Sequence, residues 1–185
     1  MVRLDLQDIY EITAVNDNGV ELIAQFDSPQ ITADPIKIHV KLSLHPDPFL
    51  SNVYNLCLGP LDKNGSIDDK IRLKHQDVSK VLSTAIFVAY YFLNDRENSI
   101  IGLDGSDDIR ANLYHSMFVL NRELMSDYFV CVGVDWYVKL LRNKKDVERD
   151  DQGNPLFKPD IEPFDYSRNR KQLYGYYMFS LKINL

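Results

Sequence analysis

Apolar and polar residues alternate strictly through Ile36-Lys37-Ile38-His39-Val40-Lys41-Leu42, the mark of a strand with one buried face. Val20 to Phe26 leans toward the same period, and Val53 to Leu58 is a short apolar run ended by Gly59-Pro60. Asp62-Lys63-Asn64-Gly65 reads as a hairpin turn toward a further strand, Ile67 to Leu73. Four strands in succession predict an antiparallel meander. Leu4 to Ala14 has no clear period, and Asn16-Asp17-Asn18-Gly19 is turn chemistry, so a short strand or a helical turn is expected before it.

After Asp77 the period becomes helical. Val78, Val81, Leu82, Ala85, Ile86, Ala89 and Phe92 or Leu93 form a broad stripe behind an aspartate N-cap, and Asn94-Asp95 ends the helix. Ser99 to Tyr114 is the stretch that organises the rest: an apolar strand from Ile100 stops at Gly105-Ser106, where a second helix begins. Ser106 is its expected N-cap, Asp107 and Asp108 suit the positive end of its dipole, and Ile109, Leu113, Met117 and Leu120 recur at helical spacing until about Glu123. Tyr128 to Val134 predicts another strand, continuing through Trp136 to Leu141 after a kink at Gly133, and Leu173 to Ile183 a final one. Asn143 to Lys171, with clustered charge and Asp151-Gln152-Gly153-Asn154-Pro155, reads as a long charged loop or excursion within a single domain over residues 1–185. The fold class is therefore α+β: a mostly antiparallel sheet of about six to seven strands with two main helices packed on it.

Several of these pieces, in order, resemble a family of small bacterial proteins known only as a domain of unknown function. They are Val53-Tyr54-Asn55-Leu56 with Gly59, Gly65-Ser66-Ile67-Asp68-Asp69, Asp77 with Lys80-Val81-Leu82 and Thr84, and Gly105-Ser106 followed by Arg110, Leu113 and Tyr114. The likeness spans roughly Val53 to Gly133. Where the family shows G-S-T-x-x-R-x-R-L-Y, this chain has Asp107 for the threonine and Asn112 for the second arginine, which removes one cation and adds one anion beside the turn. The resemblance implies no activity. The order of meander, helix, strand, a helix ending in Leu113-Tyr114, and strand is also similar to the second half of the N-acetyltransferase superfamily. That likeness implies an acyltransferase-like architecture in which Tyr114 would protonate a leaving thiolate. The superfamily holds the pyrophosphate of acyl-CoA on glycines, and this chain has His75-Gln76-Asp77-Val78-Ser79 there, with an aspartate that repels phosphate.

Composition narrows the function classes. A net charge of −6 over 185 residues, with pI about 5.2, lacks the basic footprint of a phosphate-backbone binder. Cys57 and Cys131 form no C-x-x-C pair and sit in strand-like runs, which suits buried thiols in a reducing cytoplasm. Acidic residues at the N-terminus argue against a secretion signal, and the longest uncharged apolar run, Val81 to Leu93, is shorter than the roughly 20 residues a spanning helix needs.

The candidate site is Gly105, Ser106, Arg110 and Tyr114. Arg110 lies about one turn past the cap and could fold over an anion held by free amides. In the competing reading Gly105 makes the turn, Ser106 caps, and Arg110 pairs with Asp107 or Asp104. His39, His45, His75 and His115 fall at no ligand spacing, so neither a metal nor a cofactor is expected. Asp68-Asp69 reads as a solvated strand edge. No G-x-S-x-G, Walker A or dinucleotide fingerprint occurs, and sequence leaves open a Ser-His-Asp triad assembled in space. Tyr174, Tyr176, Tyr177 and Phe179, near Arg168, Arg170 and Lys171, could stack the bases of a single strand if one face were exposed. The expected function is a non-catalytic cytoplasmic binding or interaction module for a protein partner or small anion. Its alternatives are an acyltransferase-like enzyme using Tyr114 and, less favoured, a single-stranded nucleic-acid binder. The meander also allows a homodimer paired edge to edge, and no membrane contact is expected.

Overall fold

The computed structural model describes residues 2–69, 71–142 and 145–182. An eight-stranded sheet with the order β1-β2-β3-β4-β5-β8-β6-β7 carries three helices. β1 (Ile12–Asp17), β2 (Glu21–Ser28), β3 (Ile36–Leu44) and β4 (Val53–Gly59) form the antiparallel meander. α1 (Val78–Asp95) then carries the chain to β5 (Ile100–Asp104), which lies parallel to β4. α2 (Asp108–Leu120) and α3 (Arg122–Tyr128) lead to β6 (Phe129–Val138), β7 (Phe157–Pro163) follows, and β8 (Tyr176–Leu181) inserts antiparallel between β5 and β6.

The expected α+β class and the mostly antiparallel sheet are present, with one more strand than expected. Ile67 to Leu73 is not a strand among its described residues, which exclude Lys70: Ile67 makes one isolated bridge with Leu61, and the segment is drawn over the end of β4 instead of running along the edge that β5 leaves beyond Asn55. The turn before it does form: Gly65 adopts φ +80° and the Asp62 N–H donates to the Ser66 carbonyl. The chain then folds back over the end of β4, so closely that a Cβ at Gly59 would strike the Asp68 carbonyl. Of the two alternatives expected before the Asn16 to Gly19 turn, the strand is the one present: β1 is an edge strand with five of its six residues exposed, so no buried face shapes its pattern. One strand was not anticipated. β7 lies inside the stretch expected as loop; its Pro159 and Pro163 are tolerated because it is the opposite edge. Asn143 and Ile183, at the ends of two expected segments, fall outside the described residues.

α1 begins as expected, with the Asp77 carboxylate accepting from the Lys80 N–H at 2.9 Å. The second helix divides at Asn121, whose side chain accepts from the Leu4 N–H at 2.7 Å and donates to the Met117 carbonyl, tying the N-terminal segment to the helix junction. Its buried residues are Ala111, His115, Met117 and Phe118, while the anticipated Ile109 and Leu120 are exposed. Packing rotated the helix: Phe118 meets Tyr177 and Phe179 of β8, and the Tyr177 hydroxyl donates to the Ala111 carbonyl at 3.0 Å.

β8 is buried on both sides. Tyr177 and Phe179 join the main core with α1, α2 and α3, whereas Tyr176 and Met178 pack with Leu50, Val53 and Val134 in a smaller cluster. β4 and β5 pair through only three positions, Val53–Ile100, Tyr54–Ile101 and Asn55–Gly102, and then part. At the point of parting the Tyr176 hydroxyl donates to the Asn55 Oδ1, passing over Gly102 where any Cβ would collide with it. Gly102→Ala is therefore expected to displace Tyr176 and lower stability by about 1–3 kcal/mol, read from urea unfolding. Tyr176→Phe, which removes only the hydroxyl, should cost less.

Candidate functional site

Beyond Asn55 the parted strands leave a cleft of about 290 Å³, near the lower bound of ligand pockets. Leu56, Cys57 and Leu58 of β4, Val81 and Leu82 of α1, and Leu113 of α2 supply its apolar surface. Its polar rim comes from Asp68, Asp69, Asp104, Arg110, His75 and Tyr114. The described residues of the segment 60–77 form one wall. It is held by an antiparallel bridge between Gln30 and His75, by the Ile31 N–H on the Lys74 carbonyl at 2.8 Å, and by the Gln76 N–H on the Pro29 carbonyl at 2.9 Å.

The four anticipated site residues divide between two places. Arg110 and Tyr114 line this cleft, whereas Gly105 and Ser106 face neighbouring depressions. Gly105 is required sterically, since a Cβ would press on the Tyr177 ring at 2.8 Å, and its N–H donates to the Gly175 carbonyl. Ser106 is not the N-cap. Asp107 takes that place, accepting from the N–H groups of Ile109 and Arg110 at 2.9 Å each, and Ser106 donates both its N–H and its hydroxyl to Asp104. The amides that an anion would need are occupied by carboxylates.

Arg110 meets three carboxylates: Asp107 at 2.5 Å, Asp69 at 3.0 Å and Asp104 at 3.6 Å. With its guanidinium thus enclosed, Arg110 closes one side of the cleft by tying the residue 60–77 wall to the start of α2. Asp69, expected as a solvated edge, is a partner in this tie. Tyr114 packs edge-on against Tyr177, its hydroxyl donates to no described residue, and burial pushes its pKa up to about 12. Burial also raises the pKa of Cys57 in the cleft and lifts that of Cys131 to about 12, so neither thiol is activated.

Two residues were missed by sequence reasoning, His75 and Ser28. The Ser28 Oγ lies 2.7 Å from the His75 Nδ1, a nucleophile–base distance, but Ser28 is 0% exposed and no substrate can reach it. Their separation of 47 positions left no signal in sequence. The aromatic face proposed for base stacking is interior: Tyr174, Tyr176, Tyr177 and Phe179 are each 4% exposed or less. Among the described residues no group of three or more His, Cys, Asp or Glu side chains could hold a metal ion, and no helix is long and apolar enough to cross a membrane.

A family profile matches residues 7–148, from before β1 to beyond β6. The chain belongs to DUF6934, a family of unknown function. The DUF6934 region includes β4, β5, α1 and α2 and hence the whole cleft, whereas β7 and β8 lie beyond it. No curated protein and no solved structure matches the chain.

The carboxylates around Arg110 give a pH-dependent test. Hydrogen bonds from the Arg110 backbone N–H and then from its guanidinium hold the Asp107 carboxyl below its ordinary pKa. Such a group stabilises the fold above the ordinary carboxylate pKa, and the effect is lost as pH falls through its lower folded value. Arg110→Ala should therefore destabilise the fold near pH 7, where Asp107 is ionised and loses its partner, and progressively less as pH falls below the ordinary carboxylate range. Urea unfolding of both proteins across that range measures it.

Proposed function

We propose that the chain is a non-catalytic binding module of the bacterial cytoplasm, and that its site is the cleft where β4 and β5 part. The observation that carries this reading is the cleft itself, an apolar pocket with a few polar groups converging on its rim. Against chemistry stand the groups within reach. Cys57 and Tyr114 both hold their protons more tightly than usual, and Ser28 is sealed from the cleft. The small anion anticipated at the start of α2 finds its amides engaged by Asp104 and Asp107, which moves the site from Ser106 to the cleft while keeping Arg110 and Tyr114 in its lining. The unpaired state of Cys57 and Cys131 suits a reducing compartment. An edge-to-edge homodimer would use β1, since β7 carries prolines that cannot donate to a ladder.

A second reading, an acyltransferase-like enzyme, is favoured by one observation: the parallel β4–β5 pair separates beside Tyr114, on the helix that follows β5. Two features oppose it. Asp77 caps α1, and no glycine occurs between Gly65 and Gly102 to let a backbone approach a pyrophosphate.

A fragment library titrated into labelled protein tests both readings. Saturable shifts are expected at the amides of Cys57, Leu58, Leu113 and Tyr114, and a ligand at ten times its Kd should stabilise the fold by about 1.4 kcal/mol. Val78→Trp, which fills the mouth from an exposed position, should weaken that binding at least ten-fold. Shifts confined to other surfaces overturn the cleft assignment, and saturable binding of acetyl-CoA at the start of α1 favours the enzyme.

A further inference from the structure

The cleft lining that includes Tyr114 also holds a histidine, His75, whose tautomer is set by its neighbours. Gln30, 6% exposed, places its Nε2 3.0 Å from the Ser28 carbonyl. A carbonyl only accepts, so that atom is the amide NH₂ and the side chain cannot be flipped. The same nitrogen lies 3.1 Å from the His75 Nδ1, and the Ser28 Oγ lies 2.7 Å from it. With an NH₂ as neighbour, Nδ1 is the acceptor, and the neutral ring carries its proton on Nε2. Burial alone lowers the His75 pKa, with no carboxylate near enough to raise it, so the ring stays neutral at pH 7. Nε2–H donates to no described residue, and His75 lines the cleft.

Resting on the cleft reading above, we infer that the His75 Nε2–H and the Tyr114 hydroxyl are ligand-binding donors, and that the cleft takes a small uncharged carbonyl compound, an amide or ester with an apolar body. Among the described residues neither donor has an acceptor, and a carbonyl oxygen supplies the lone pairs they need. Charge decides against anions. Arg110 is enclosed by Asp69, Asp104 and Asp107, so an incoming carboxylate or phosphate meets anions before it meets the cation. An ammonium is drawn to the rim carboxylates but has no lone pair for the His75 Nε2–H or the Tyr114 hydroxyl, so hydrogen bonding, not charge, sets it against the carbonyl class. Leu56, Leu58, Val81, Leu82 and Leu113 provide the apolar contact for the ligand body.

Long-range ¹H–¹⁵N imidazole spectra at pH 7 read the tautomer directly, and Nε2–H is expected; an Nδ1–H ring overturns the inference. Three probes that share one ring then separate the ligand classes: cyclohexanecarboxamide, cyclohexanecarboxylate and cyclohexylmethylamine. The carboxamide should shift the His75 ring and the Tyr114 amide saturably, at least ten-fold more tightly than the other two, and His75→Phe should remove that preference. If His75→Phe does not fold, Tyr114→Phe carries the same test. Equal or tighter binding of the carboxylate or the amine in the cleft overturns the carbonyl assignment and leaves the cleft as a binding site. Silence from all three overturns the assignment as well, while the cleft reading is then judged by the library titration. Retained preference in the variants shows that the donors do not contact the ligand.

Discussion

The sheet depends on a strand that comes last among the described elements. β8 bonds to β5 on one side and β6 on the other, so without it the parallel pair β4–β5 would end in an open edge and β6–β7 would be a detached hairpin. Its side chains serve both faces. Tyr177 and Phe179 anchor α2 through Phe118, Phe179 also meets Phe129 at the start of β6, and Tyr176 reaches across Gly102 to Asn55 at the point where β4 and β5 separate. Burial of four consecutive residues, Tyr176 to Phe179, is the hydrophobic term that drives this insertion. The family profile stops at residue 148, yet the cleft inside the matched region is shaped by a strand outside it.

Once β5 and β8 are in place, the cleft follows from geometry. β4 runs on to Gly59 and β5 stops at Asp104, and the space between them is covered by the chain that folds back over Gly59 and runs to α1. That covering segment is pinned at two ends by different physics. Near Asp69 it is held by charge, through Arg110; near His75 it is held by backbone hydrogen bonds to Pro29 and Ile31 and by the buried Ser28–Gln30 contacts. The first attachment is partly exposed and weakens with salt or acid, whereas the second is shielded from water. The same two attachments give the cleft its character: an arginine already spent on carboxylates, and a neutral histidine on its lining.

Much of the architecture was legible in the sequence because it rests on local signals. The strict alternation of Ile36 to Leu42, the Asp77 cap with its alanine-spaced stripe, and the turn at Asp62 to Gly65 each rest on residues within a few positions of one another. The segments misread are those whose state depends on a distant neighbour. Ile67 to Leu73 has strand composition but is drawn over the end of β4 instead of along it, and Phe157 to Pro163 has loop composition but an edge that accepts prolines.

The site divides along the same line. Arg110 and Tyr114 were visible as a helix start with a cation and an aromatic one turn apart, and the pairing of Arg110 with Asp107 and Asp104 was within reach of local spacing. The part played by Asp69, 41 positions away, and the contact of His75 with Ser28 and Gln30 were not, because hydrogen bonds across such separations leave no periodic trace. By itself the sequence determined the fold class, the Asp77 cap and the polarity of the α2 start, all set by short-range sterics and dipoles. Only the tertiary structure decided which face of α2 is buried, that β4 and β5 part, and which polar groups meet in the gap, since these follow from strand order and side-chain packing.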